Sequence, residues 1–246
     1  MYQSVVESRI NEKNRDITSF LMIGQSNMAG RGDFGEVAPI DNSKCLMLRN
    51  GRWQPLAEPI NPDRAIFDFI YHSGISLAGS FADDFANDTG RMIGLIPCAE
   101  GCTIIEDWLP GEVLFDNAVM QAQLAMRSSH LGGIIWHHGE SNCSGSISDY
   151  EKMAVEVLTA IRKKLGAEEL PLIMGEIPEN IDPSWGCEGK MHEMNMAIHR
   201  ISSKLPMSAV ASSEGLALKA DGIHFNSASA RTLGHRYYAA YKSLAE

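Results

Sequence analysis

Five short apolar runs recur along the chain, and each is followed by a stretch with helical periodicity. They are ITSFLMIG ending at Gly24, MIGLIP at 92–97, GGIIWH at 132–137, PLIMGEI at 171–177 and MSAVAS at 207–212. In each run the apolar residues are consecutive rather than alternate, and Gly, Pro or polar residues bound it. That pattern predicts strands buried on both faces, as in parallel sheets. Over 74–89, Ile75, Ala78, Phe81, Ala82 and Phe85 share one helical face, and Gly90 supplies a stop. A helix over 116–129 is predicted to begin at Asp116. Another, over 149–165, is predicted to open on a capping box of Ser148 and Glu151. Two more are expected near 189–204 and 226–245. Such alternation implies an α/β fold, with a parallel sheet of about five strands covered by helices on both sides. The segment 30–73, rich in Pro, Gly and Asn, is expected to be irregular and to overhang one edge. With no repeat or linker, residues 1–246 are expected to form a single domain.

Charge narrows the partners. Lys and Arg number 21 against 31 Asp and Glu, a net charge of 21 − 31 = −10. This balance argues against nucleic acid or an anionic membrane as the main partner. No stretch approaches the ~20 apolar residues of a membrane span. The opening MYQSVVESRINEKNRD has no apolar core behind basic residues, so no secretory signal is expected. Five cysteines (Cys45, Cys98, Cys102, Cys143 and Cys187) are an odd number without a disulfide framework. A cytoplasmic protein with reduced thiols is the expectation.

In a parallel sheet, ligands gather beyond the carboxyl ends of the strands, so the residues that follow each strand carry the chemistry. The first strand is followed by Gly24-Gln25-Ser26-Asn27, the second by CAEGCT (98–103) and the third by HHGESN (137–142). ADGIHFN (220–226) precedes the last helix. Serine, histidine and a carboxylate brought to one rim suit acyl transfer. A serine hydroxyl needs a base to remove its proton, and imidazole has the pKa for that. Asp221 stands three residues before His224, within reach of its second nitrogen, where a carboxylate would fix the tautomer. The Ser26 amide and the backbone of Gly101 and Cys102 are candidate donors to the oxyanion.

Blander assignments also fit parts of the pattern. Ser26 could simply cap a helix. His72, His130, His192, His199 and His235 read as surface or packing residues, and Met191, Met194 and Met196 as core filler. Trp108 and Trp136 could line a sugar site or simply pack. Cys98, Cys102, His137, His138 and Cys143 could in principle hold zinc. However, no second cysteine pair follows Cys-x₃-Cys, and neighbouring histidines on a strand face opposite ways. No metal is expected.

Taken together, GQSNMAG, PCAEGCT, WHHGESN and DGIHF, in this order, resemble the SGNH (GDSL-type) hydrolases over roughly residues 17 to 240. The closest branch is the sialate O-acetylesterase / acetylxylan esterase group, carbohydrate esterase family six. The resemblance implies a flavodoxin-like three-layer α/β/α sandwich that removes acetyl groups from sugar hydroxyls without a cofactor. It implies an acetylated oligosaccharide or small acetyl ester as substrate and leaves oligomeric state open. Ser26 matches the nucleophile and His224 the base; the acid matches Asp221 in some members and Glu140 in others. Gln25, Asn27, Gly101, Cys102 and His138 fall at oxyanion or substrate-binding positions. This chain departs from the pattern twice, with Cys102 where a glycine is usual and His138 where a glutamine is usual. The alternatives are a sialate O-acetylesterase or, because of those two departures, a weakly active or inactive sugar-binding relative.

Overall fold

The computed structural model describes residues 16–62, 72–187 and 189–245. In chain order the strands are β1 (Ile17–Gly24), β2 (Cys45–Arg49), β3 (Arg52–Pro55), β4 (Met92–Pro97), β5 (His130–His137), β6 (Leu172–Gly175) and β7 (Ser208–Ala211). The helices are α1 (Ser26–Ala29), α2 (Leu77–Thr89), α3 (Val113–Ala125), α4 (Ile147–Leu165), α5 (Met191–Lys204) and α6 (Ser227–Ala245). They build one seven-stranded sheet in the order β3-β2-β4-β1-β5-β6-β7, parallel throughout except for the β2–β3 pair.

Five of those strands coincide with the apolar runs. The other two lie within residues 30–73 and correct that expectation in part: residues 45–55 form a β-hairpin that extends the sheet, while residues 63–71 of the segment lie outside the described residues. The hairpin turn is Asn50-Gly51, both at positive φ (52° and 73°), the backbone that a two-residue hairpin turn requires. Two helix starts also differ. The fourth helix is capped by Ser146, whose hydroxyl accepts from the Asp149 amide, and not by Ser148. α3 begins at Val113, three residues before Asp116. Gly90 ends α2 in the left-handed conformation, as its position predicts.

Strand alternation divides the core in two. Along β1, Leu21 and Ile23 pack with α3, α4 and α5, while Phe20 and Met22 pack with α2 and α6. On that second side Phe20, Phe81, Phe85, Tyr238 and Tyr241 form mostly edge-to-face ring pairs at 5.0–6.4 Å. The result is a three-layer α/β/α sandwich. β1 lies between β4 and β5, and strands β2 to β4 fill one flank before the chain crosses to β5, β6 and β7 on the other. The carboxyl end of β1 is therefore the switch point where such sheets open a crevice. Ser26 follows it directly.

Among the described residues no helix is long and apolar enough to cross a membrane.

Candidate active site

β1 ends at Gly24, whose φ of 131° and close approach to the His137 carbonyl leave no room for a Cβ. The chain then turns sharply into the single turn of α1. Gln25 is the N-cap there, so Ser26 is the first helical residue and not the cap. Ser26 Oγ lies 2.9 Å from His224 Nε2. On the other side of the ring, Nδ1 lies 2.9 Å from Asp221 Oδ2. The second Asp221 oxygen accepts from the backbone N–H groups of Ile223 and His224 at 3.1 and 3.0 Å.

These contacts set the charges. Burial lowers the His224 pKa below its ordinary value and outweighs the Asp221 carboxylate, which raises it. Burial pushes the Asp221 carboxyl upward, but the N–H donors of His224 and Ile223 and the imidazole more than reverse this, leaving it lowered. A neutral imidazole beside a hydroxyl, with an ionised carboxylate behind it, can take up a proton from that hydroxyl.

Glu140 lies close by but makes different contacts. Its Oε1 accepts from Asn27 Nδ2 at 2.7 Å and is 3.2 Å from His137 Nε2, outside hydrogen-bond alignment. Burial raises the Glu140 pKa, and the His137 ring with the Asn27 amide overcomes that and holds it well below the usual carboxylate range. Asn27 also donates to the Ile223 carbonyl at 3.3 Å and accepts from the Phe225 amide at 3.1 Å. It thereby ties the Ser26 turn to the loop that carries His224.

Gln25 is a structural tie of the same kind. Its amide nitrogen donates to the Thr103 carbonyl and, at 2.6 Å, to Ser141 Oγ, while its oxygen accepts from the Gly139 amide at 2.8 Å. Gly101 lies beside Ser26: a Cβ there would be 3.6 Å from Ser26 Cβ and would collide with the Arg31 guanidinium. Cys102 is exposed and adopts φ 61°, the left-handed region that glycine would occupy without strain.

His138 corrects the sequence expectation. It does not reach the oxyanion or substrate side. Its ring is fully buried and stacked 4.9 Å from Trp136 and 5.7 Å from Tyr150, both at 14°. Burial, only partly countered by Glu140, lowers its pKa to about 3, so it is neutral. Trp108 and Trp136 are buried too, edge to face at 5.5 Å, and pack the core instead of lining a sugar site. Met194 is core, but Met196 is 47% exposed. His130, His192, His199 and His235 are exposed. Among the described residues no group of three or more His, Cys, Asp or Glu could hold a metal ion.

A cavity of about 80 Å³ opens on Ser26, lined also by Arg31, Cys102, Glu140, Ser141, Trp185, Ile223 and His224. Sequence reasoning singled out neither Arg31 nor Trp185. Arg31 stands five residues after Ser26, just past the Gly30 C-cap of α1, and that nearness in sequence was a usable signal. Trp185 comes from a 3₁₀ turn (Pro183–Trp185) remote from every motif.

The three-layer sandwich is an α/β fold shared with a solved lipase/acylhydrolase and a GDSL-like lipase, 15% and 10% identical. The family model described as carbohydrate esterase, sialic acid-specific acetylesterase matches residues 16–243, and the chain belongs to that family. It is a carboxylic ester hydrolase acting on carbohydrate esters. A probable carbohydrate esterase of Arabidopsis thaliana is 26% identical, over 91% of this chain and 90% of the relative. The X-ray structure of that Arabidopsis protein matches with a TM-score of 0.78, over 93% of this chain and 98% of the other. A carbohydrate acetylesterase from Xanthomonas citri, 19% identical, shares the fold with a TM-score of 0.65 over 93% of this chain and 56% of its own. A variant of a Geobacillus acetyl-xylooligosaccharide esterase, 11% identical, shares it at 0.54, covering 92% of this chain and 93% of the other.

Proposed function

We propose that this protein removes O-acetyl groups from neutral sugars through an acyl-enzyme on Ser26. His224 takes the Ser26 proton as the hydroxyl attacks the ester carbonyl, and then passes it to the departing sugar oxygen. A water activated by the same imidazole releases acetate. Asp221 holds the Nδ1–H tautomer and stabilises the imidazolium. The amides of Ser26 and Gly101 face the developing oxyanion in this scheme. The observation that carries the reading is the chain Ser26 Oγ–His224 Nε2–Asp221, with 2.9 Å at each step.

Asp221 is preferred to Glu140 as the acid because Glu140 is engaged by Asn27 and His137. Glu140 then serves as the buried anion that fixes the turn. The small cavity at Ser26 suits an acetyl group, and the Geobacillus relative's named substrate makes acetylated xylo-oligosaccharides the first to try. An acetate-release screen over acetylated xylo-oligosaccharides, acetylated sialic acid and p-nitrophenyl esters of rising chain length tests this. Preference for acetylated neutral sugars supports it. Turnover of acetylated sialic acid alone moves the substrate to the sialate branch, and no turnover of any ester overturns the reading.

A further inference from the structure

The cavity at Ser26 does not end there. A second, larger cleft of about 310 Å³ adjoins it and shares Arg31, Trp185 and His224 with it. Ser26 lines only the small cavity, whereas Asp221 lines only the large cleft. That division has a chemical meaning. The acyl carbon must lie on Ser26, but the departing alcohol must receive its proton from His224. The cleft beside the imidazole is therefore the place for the alcohol half of the ester. Its volume falls at the low end of small-ligand sites, ~300–1,000 Å³.

Its walls indicate what kind of alcohol fits. Phe34 and Trp185 both line the cleft, and they are the two exposed large aromatic residues of the described chain, at 59% and 46%. An aromatic ring left that open to water costs hydration free energy unless something covers it. The Trp185 indole N–H is already used, donating to the Asp221 carbonyl at 2.9 Å, so what it offers a ligand is its apolar ring surface. The remaining wall is polar. Lys219 Nζ donates to Asp33 Oδ1 at 2.7 Å and to the Arg31 carbonyl at 2.8 Å, which leaves the lysine charge compensated within the wall. Apolar ring faces combined with paired polar groups match a pyranose, which carries C–H faces and hydroxyl edges. A plain alkyl alcohol would leave the polar wall unmatched.

We propose that this cleft is the subsite for the sugar leaving group, with Phe34 and Trp185 as its stacking surfaces. The assignment rests on the esterase reading above. It also gives Trp185 a second role as a positioning residue. Its indole bond to Asp221, together with the Asp182 amide donating to the Gly222 carbonyl at 2.8 Å, braces the loop that carries His224.

The test compares Phe34→Ala, Trp185→Ala and Trp185→Phe with wild type on acetylated xylo-oligosaccharides and on p-nitrophenyl acetate. Thermal unfolding monitors the fold of each variant. The ratio of kcat/KM for the sugar ester to that for the aryl ester should fall about tenfold or more in Trp185→Ala, chiefly through KM. A smaller fall is expected in Phe34→Ala. Trp185→Phe, which keeps a ring and loses the N–H, should restore most of the ratio while lowering kcat on both esters. An unchanged ratio in all three variants overturns the subsite. So does a wild type that cleaves aryl acetate and no acetylated sugar, and that result leaves the esterase reading standing.

Discussion

Asp221 Oδ2 lies 2.9 Å from His224 Nδ1, three residues further along the same loop, and the aspartate's other oxygen is held by two backbone N–H groups. The carboxylate is thus oriented by the backbone of the loop that presents the base. Asp221→Asn should cost on the order of 10³–10⁴ in kcat, because an amide can hold the wrong tautomer. Glu140→Gln should cost far less in kcat. Its effect should appear as a lower unfolding midpoint, since the buried anion opposite His137 is gone. Steady-state kinetics and thermal unfolding of the two variants check this; the reverse ranking in kcat would transfer the acid role to Glu140.

The pH dependence follows from His224. Its pKa is lowered from the ordinary value of 6.5, and the base works only when neutral. Activity should therefore be lost as pH falls through a point below about 6.5 and be level near neutrality. The acid limb of kcat/KM against pH measures it. A midpoint above 7 would mean that the imidazole is stabilised in its charged form, contrary to its burial.

Some of this was legible in the sequence and some was not, for physical reasons. β4 coincides residue for residue with the MIGLIP run, because a strand buried on both faces leaves an uninterrupted apolar signal. The β2–β3 hairpin was hidden because CLMLRNGRWQP mixes charges into an edge element. Asn50-Gly51 was its signature, and that turn signal outranks hydrophobicity there. Ser26, Asp221 and His224 could be picked out because each follows a strand or precedes a helix in a short motif. His138 was misplaced because the motif match alone does not say which of the two alternating faces of the strand is the core side. On an extended chain His138 shares the face of Trp136, which lies in the core, whereas His137 points the other way. Trp185 could not be found from spacing, since the fold alone brings its turn to Asp221.

His138→Ala should thus act on stability. Removing a buried ring stacked between Trp136 and Tyr150 should cost roughly 2–4 kcal/mol, by analogy with other large-to-small core changes. His138→Gln should leave the acid limb of the pH profile where it is, because the ring is neutral throughout the working range. Denaturant unfolding and a pH–rate profile read the two effects separately.

Cys102→Gly should relieve backbone strain and widen the cavity. A left-handed residue other than glycine costs ~1–2 kcal/mol, while glycine's looser unfolded chain costs ~0.4–1 kcal/mol. Stability should therefore hold or rise by up to about 1.5 kcal/mol. Because Cys102 lines the cavity at Ser26, turnover of butyryl relative to acetyl esters should increase. A fall in the unfolding midpoint, or an unchanged acyl preference, would contradict the role given to this side chain.

The rate of acetate release by Ser26→Ala bears most directly on the central claim. Removing the hydroxyl 2.9 Å from His224 Nε2 should lower kcat by several orders of magnitude, leaving only what the oxyanion donors and binding supply. A variant that keeps more than about a tenth of the wild-type rate would contradict the account.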